Sequence, residues 1–143
     1  MLKREITYED FNGNSVTDTF YFNLTKSELI EMEAKYKGGL EAIIIQIVET
    51  QDKQKLINIF KDVILASYGK KSEDGRRFIK SDELREEFTQ TPAYDIFFFE
   101  LATNAEKGAE FIKGILPKDF EEEMKKLGGG TLQPPSIQST PSL

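Results

Sequence analysis

The sequence contains no cysteine, no histidine and no tryptophan among its 143 residues. Without cysteine there is no disulfide and no thiolate metal site, an absence that fits a reducing compartment. Histidine is the usual general base near neutral pH and the usual zinc ligand, so its absence removes the common Ser-His-Asp, Cys-His and transition-metal chemistries. Chemistry that uses carboxylates, lysine or magnesium stays open on composition alone.

Long apolar runs and an excess of positive charge are also missing. No window approaches 18 consecutive apolar residues, and the first residues lack the apolar core of a signal peptide. The formal net charge is -6 and the pI is about 4.8, so the surface repels phosphates. We therefore expect a soluble cytoplasmic protein that binds neither nucleic acid nor membranes.

What is present indicates one folded domain followed by a tail. The content is 38% hydrophobic and 31% charged, which is typical of globular proteins. Patterning predicts an α+β fold that is mainly helical: a β-hairpin over residues 1–24 packs on five or six helices within residues 25–127. Residues 128–143 carry no charge and are dominated by glycine, proline, serine and threonine, which predicts a disordered tail.

Alternation and turn residues predict the N-terminal hairpin. Ile6 and Tyr8 alternate with polar residues, as do Phe20 and Phe22, and residues 12–14 (NGN) give a strong turn signal. A two-residue turn would place the two apolar sets on opposite faces of the sheet. An odd-numbered loop or a bulge places them on one face, and a three-residue loop predicts Ile6 opposite Phe20 and Leu2 opposite Leu24.

Capping residues mark the first half of the helical region. Thr25 and Glu28 form a capping box, and the glycines at 38–39 end the first helix. A very apolar second helix is expected at about 40–51. A third, with apolar residues three and four apart, begins near Asp52 and has Gly69 as its C-terminal cap.

The second half of the chain carries similar signals. Residues 69–80 predict a charged loop with a short extended piece at 78–79. Ser81 caps the next helix, and Thr91 before Pro92 starts another. A capping box from Thr103 to Glu106 predicts a helix that stops before Pro117, and a charged helix is expected at about 118–127.

Signatures of catalytic and ligand sites fail on spacing. Residues 68–72 (YGKKS) resemble the end of a phosphate loop but lack its first glycine and its preceding strand. The acidic turns at 10–14 and 73–75 place their ligands at the wrong positions for a calcium loop. Paired carboxylates on predicted helices are typical of solvated faces. We therefore expect no catalysis, no metal and no cofactor.

Two apolar runs and one basic pair are the candidate partner-binding sites. Three successive residues of a helix point about 100° apart, so a run of three large apolar side chains cannot share one narrow face. Either both sides of each run are buried within the monomer, or part of the run is exposed for a partner or for self-association. Arg76 and Arg77 either hold an anionic group or balance acidic neighbours. The candidate residues are Ile43, Ile44, Ile47, Arg76, Arg77, Phe97, Phe98 and Phe99.

Four stretches of the second half carry a family resemblance. They are residues 74–88 (DGRRFIKSDELREEF), 90–94 (QTPAY), 99–103 (FELAT) and 109–112 (AEFI). Together they resemble the tail assembly chaperones of long-tailed phages (siphophages) that infect Gram-positive bacteria, over about residues 68–117.

The resemblance implies a binding protein without catalytic activity. Such chaperones bind the tape measure protein, recruit tail tube subunits around it in the host bacterial cytoplasm, and are absent from the mature virion. Many are made in two lengths by a translational frameshift near the end of the shorter product. A charge-free tail after residue 127 suits either a longer product or a tether.

Two alternatives remain open from the residues. One is another phage or prophage interaction protein, such as a head–tail completion factor or a host-interference factor. The other is a small carboxylate- or magnesium-dependent enzyme, which needs acidic residues that converge in one concave pocket.

Overall fold

The computed structural model describes residues 1–35 and 52–117, together with the isolated helical residues Ala42, Ile45 and Glu49. Most of the predicted helix at 40–51, the predicted helix at 118–127 and the predicted tail at 128–143 lie outside the described residues. So do the candidate residues Ile43, Ile44 and Ile47.

A four-stranded antiparallel sheet forms one side of the fold. The strands lie side by side in chain order. Two long strands form the N-terminal hairpin, and two short strands extend it. Their bounds are β1 Leu2–Glu9, β2 Ser15–Phe22, β3 Tyr68–Lys71 and β4 Phe78–Ile79.

Helices account for most of the described residues, which confirms the α+β, mainly helical fold with an N-terminal hairpin. Helix α4 packs against α2, α5 and β1, and α3 packs against α4 and β3. The bounds are α1 Lys26–Lys35, α2 Lys53–Ser67, α3 Asp82–Thr89, α4 Pro92–Thr103 and α5 Ala105–Ile115.

The register of the hairpin corrects the prediction. Ile6 lies opposite Asp18, and Leu2 opposite Phe22, rather than Ile6 opposite Phe20. The predicted odd-numbered loop is confirmed, but it has five residues instead of three. Because the observed register differs from the predicted one by two residues, the apolar side chains stay on one face of the sheet.

Asp10 is the reason for the longer loop. Its carboxylate accepts the N–H groups of Asn12 and Asn14, both at 2.9 Å, and its own N–H donates to the carbonyl of Asn14 at 2.8 Å. Gly13 takes a positive φ of 85° in the same loop. Asp10 therefore belongs to the turn, and β1 ends at Glu9.

Most predicted helix starts are confirmed by hydrogen bonds. The N–H of Thr25 donates to Glu28 Oε1 at 2.9 Å, and the N–H of Glu28 donates to Thr25 Oγ1 at 3.1 Å, which completes the capping box. Asp52, Ser81 and Thr91 accept from the third residue after each of them. Each cap satisfies a backbone donor that the helix leaves unpaired.

Two predicted boundaries are wrong. Helix α2 ends at Ser67, and Gly69 lies within β3 instead of capping the helix. A Cβ at Gly69 would lie 2.6 Å from Phe78 Cε2, so glycine is required there for close strand packing rather than for a helix end. Thr103 belongs to the last turn of α4, and Asn104 caps α5 in its place.

The core is built around phenylalanine. Phe22 of β2 stacks on Phe97 of α4 with ring centroids 5.0 Å apart, and both meet Phe111 of α5 edge-on. Tyr68 stacks on Phe88 at 4.2 Å on the other side of Phe22. Ring pairs of this kind bury large apolar areas and fix the position of α4 over the hairpin.

Candidate interaction surface

Helix α4 presents the aromatic run to three different environments. Thr91 caps the helix and Pro92 occupies its first turn, so the helix starts at a fixed point. Phe97 is 1% exposed and lies in the core, where Arg4 stands 5.2 Å above its ring. Phe98 is half-buried and stacks on Tyr94, with ring centroids 5.8 Å apart.

Phe99 is on the surface. It is 68% exposed, and Ile96, one turn earlier on the same side of the helix, is 43% exposed. We call these two residues the α4 ridge. Of the two alternatives for the aromatic run, burial within the monomer holds for Phe97, and exposure to solvent holds for Phe99.

Ion pairs of Glu100 connect α4 to β1 and α5. Arg4 of β1 donates to Glu100 Oε1 at 2.6 Å, and Lys107 of α5 lies 3.7 Å from the same oxygen. The ridge is therefore a fixed feature of a packed helix, as a pre-organised docking surface requires.

Arg76 and Arg77 lie in the turn that joins β3 and β4, and both are exposed. Gly75 takes a positive φ of 74°, which lets the chain reverse. Ser72 organises the turn: its N–H donates to the carbonyl of Arg77 at 2.9 Å, and its Oγ accepts the N–H of Arg77 at 3.0 Å.

Asp74 is used inside this turn rather than as a counter-ion. Its Oδ1 accepts from Ser72 Oγ at 2.7 Å and from the N–H of Arg76 at 3.0 Å. These two hydrogen bonds lower the pKa of the Asp74 carboxyl. Neither arginine forms an ion pair with any residue within 1–35 or 52–117. The turn therefore presents two exposed guanidinium groups on a chain of net charge -6.

Lys80 does not belong to this basic surface, although the sequence places it in the same cluster. Its side chain is 11% exposed, and its ammonium lies within 2.8 Å of both Glu28 oxygens and of the carbonyls of Asn23 and Ala66. Burial lowers the pKa of Lys80, and the ion pair with Glu28 offsets this only in part. Lys80 is therefore a structural residue.

Glu28 shows the complementary effect. Burial alone raises the pKa of its carboxyl, but the hydrogen bonds from Lys80 and from the N–H of Thr25 outweigh burial, and the pKa lies below its ordinary value. The pair connects the start of α1 to β4 across 52 residues of chain.

A groove beside β2 was not predicted from the sequence. Its volume is about 520 Å³, and aromatic side chains of the sheet and α3 line its floor. Lys70 and Lys71 lie on its β3 side and Glu87 on its α3 side. The groove lies where β3 pairs with β2 through Tyr68 and Gly69, a strand that the predicted helix cap at Gly69 did not anticipate.

Metal-binding clusters and membrane-spanning helices are both absent from the described residues. Over residues 1–35 and 52–117, no group of three or more carboxylates is placed to hold a metal ion. In the same part of the chain, no helix has the length and apolar character needed to cross a membrane. Fold and surface define a small α+β protein whose distinctive features are an exposed apolar ridge and a rigid basic turn.

Comparison with known families identifies the chain more closely. A family model described as phage tail assembly chaperone matches residues 1–142. The chain therefore belongs to the phage tail assembly chaperone family. No curated protein and no solved structure matches it significantly. The family supports a role in tail assembly and implies interaction with other tail proteins.

Proposed function

We propose that this chain binds the tape measure protein of a siphophage of a Gram-positive bacterium and recruits tail tube subunits around it. It acts in the host cytoplasm, performs no catalysis and leaves before the virion is complete. Membership of the tail assembly chaperone family supports the general role. The observation that carries the finer proposal is the exposed α4 ridge, an apolar docking surface on a fixed helix.

Burial of the α4 ridge by a partner is favourable. An exposed phenylalanine that a partner covers contributes about 2 kcal/mol, and aromatic anchors are typical of binding hot spots. The ridge residues lie on a helix that is capped and salt-bridged, so little ordering is needed on binding. A chaperone that covers an apolar segment temporarily needs such a surface on a charged body.

The basic turn supplies the second component. Two exposed arginines attract acidic partner surfaces and raise association rates at low salt. Arg76 and Arg77 are proposed as this electrostatic contact, while Ile96 and Phe99 are proposed as the apolar contact. Ile43, Ile44 and Ile47 remain candidates for the apolar contact as well.

Co-expression with the tape measure protein of the same phage tests the proposal. Wild type is expected to co-purify with it, and the double variant Ile96→Ser, Phe99→Ser is expected to bind about tenfold more weakly or worse. The matched control is Phe11→Ser, because Phe11 is 85% exposed at the tip of the hairpin and lies outside the proposed surface.

Three outcomes would contradict the proposal. The first is a failure of wild type to form any complex while tails assemble normally without it. The second is equal binding by the ridge variant and the Phe11 control. The third is the presence of the protein in purified virions, which would favour a head–tail completion factor.

A further inference from the structure

Strand β1 forms the outer edge of the sheet. It is eight residues long, contains no proline and pairs with β2 in an unbroken register. On its other side, no strand or loop among the described residues pairs with it. An edge of this length is a template for another strand unless it is protected.

The hydrogen-bond pattern shows which residues face this edge. Tyr21 pairs with Gly69, and the N–H of Asn23 donates to the carbonyl of Ser67 at 2.8 Å, so odd-numbered residues of β2 bond to β3. Its even-numbered residues must then bond to β1, where they face even-numbered partners. The backbone groups of Lys3, Glu5, Thr7 and Glu9 therefore point outward.

Charges protect many sheet edges, but here their order suits a second copy of the same strand. Antiparallel pairing centred on Ile6 places Lys3 opposite Glu9 of the second copy and Glu5 opposite Thr7. Because of the two-fold symmetry, each of these contacts occurs twice. Residues 3–9 of both strands are paired in this register.

Neighbouring registers are poorer. Centring on Glu5 places two Glu5 carboxylates opposite each other, and centring on Thr7 opposes Glu5 to Glu9, which repel. Centring on Arg4 opposes Lys3 to Glu5 but pairs only residues 2–6. Charge complementarity and the overlap of residues 3–9 together select the register about Ile6.

We propose that the protein forms a homodimer in which β1 pairs antiparallel with β1 of a second copy, giving one continuous eight-stranded sheet. The two-fold axis runs perpendicular to the sheet, so the helices of both copies lie on the same side. Each dimer then presents two α4 ridges to one partner, and a repetitive partner binds it with avidity. The dimer does not depend on which tail protein binds.

Sedimentation equilibrium of the full chain tests the dimer by charge exchange. Wild type is expected to sediment as a dimer. Lys3→Glu creates two repulsive contacts with Glu9 and raises the dimer dissociation constant about tenfold or more. The double variant Lys3→Glu, Glu9→Lys restores the attraction and the wild-type dissociation constant. Lys53→Glu, at the exposed start of α2, is the charge-matched control that leaves it unchanged.

Hydrogen exchange gives an independent readout that does not depend on mutation. In the dimer, the outward amides of Lys3, Glu5, Thr7 and Glu9 are protected, and dilution to monomer removes that protection while the even-numbered amides stay protected. A wild type that remains monomeric at millimolar concentration overturns the proposal. So does a double variant that stays as weak as Lys3→Glu. Loss of tape measure binding with an intact dimer would count against the proposed function alone.

Discussion

The Lys80 side chain joins three segments that are distant in sequence. Its ammonium contacts the end of β2 through Asn23, the start of α1 through Glu28 and the end of α2 through Ala66. The lysine itself follows β4 directly. A charged group that is nearly buried is tolerated because every proton it carries has an acceptor.

Replacing Lys80 with methionine keeps most of the side-chain volume but removes all of these contacts. Glu28 then keeps a partly buried charge without its partner, and two backbone carbonyls lose a donor. We expect the free energy of unfolding to fall by about 2 kcal/mol, as measured by urea denaturation.

The matched control is Lys70→Met, since Lys70 is exposed and forms no ion pair within the described residues. Its free energy of unfolding should stay within about 0.5 kcal/mol of wild type. If both variants lose the same amount, the cluster around Lys80 does not have the structural role assigned to it.

The aromatic run illustrates what sequence cannot decide at this scale. Helical spacing shows that Phe97, Phe98 and Phe99 point in different directions, but it does not show which direction is occupied. That depends on where β1 and α5 lie, because Arg4 and Phe111 cover Phe97 and leave Phe99 exposed. The surface candidate is thus fixed by partners that are distant in sequence.

At the scale of elements, local signals were sufficient where the controlling contact is local. The caps at Thr25, Ser81 and Thr91 are hydrogen bonds to the third residue after each, so the sequence predicts them directly. The predicted helix cap at Gly69 was wrong because the role of this glycine is set by its contact with Phe78 across the sheet. Asn104 was missed because Thr103, beside it, offers the same capping chemistry.

Helix α5 depends on a similar long-range requirement at Gly108. A Cβ there would lie 2.5 Å from Phe60 Cε1, and the Phe60 ring is fully buried, so it has no free space to move into. Gly108→Ala is expected to lower the free energy of unfolding by about 2 kcal/mol despite the better helix propensity of alanine. Thermal unfolding followed by circular dichroism measures the change.

Gly114 in the same helix is the internal control. A Cβ there would lie 3.2 Å from Leu2 Cδ1, the end of a half-buried side chain that is able to shift. Gly114→Ala should be neutral or stabilising by up to about 1 kcal/mol. Equal destabilisation by both substitutions would mean that α5 tolerates no added volume at all, and that Phe60 is not the cause.

At the scale of the whole molecule, the hairpin and the helices share one core. Phe22, Phe88, Phe97 and Phe111 join β2, α3, α4 and α5 through ring contacts. Hydrophobic patterning predicted the α+β fold class, because the spacing of apolar residues along the chain differs between strands and helices. The groove beside β2 was not predictable, since its lining comes from β1, β2, β3 and α3, which are distant in sequence.

The uncharged segment at 128–143 gives the last prediction. It contains glycine, proline, serine and threonine and too few large apolar residues to contribute much to a core, so removing it should not change the burial that holds the domain together. We expect the chain truncated after residue 127 to unfold within about 1 °C of the full chain in a thermal scan. Truncation after residue 115 is the comparison, because it removes Leu116, which packs against the core. A fall of several degrees on deleting 128–143 alone would mean that this segment contributes to the folded domain, and that its composition was misread as that of a tail.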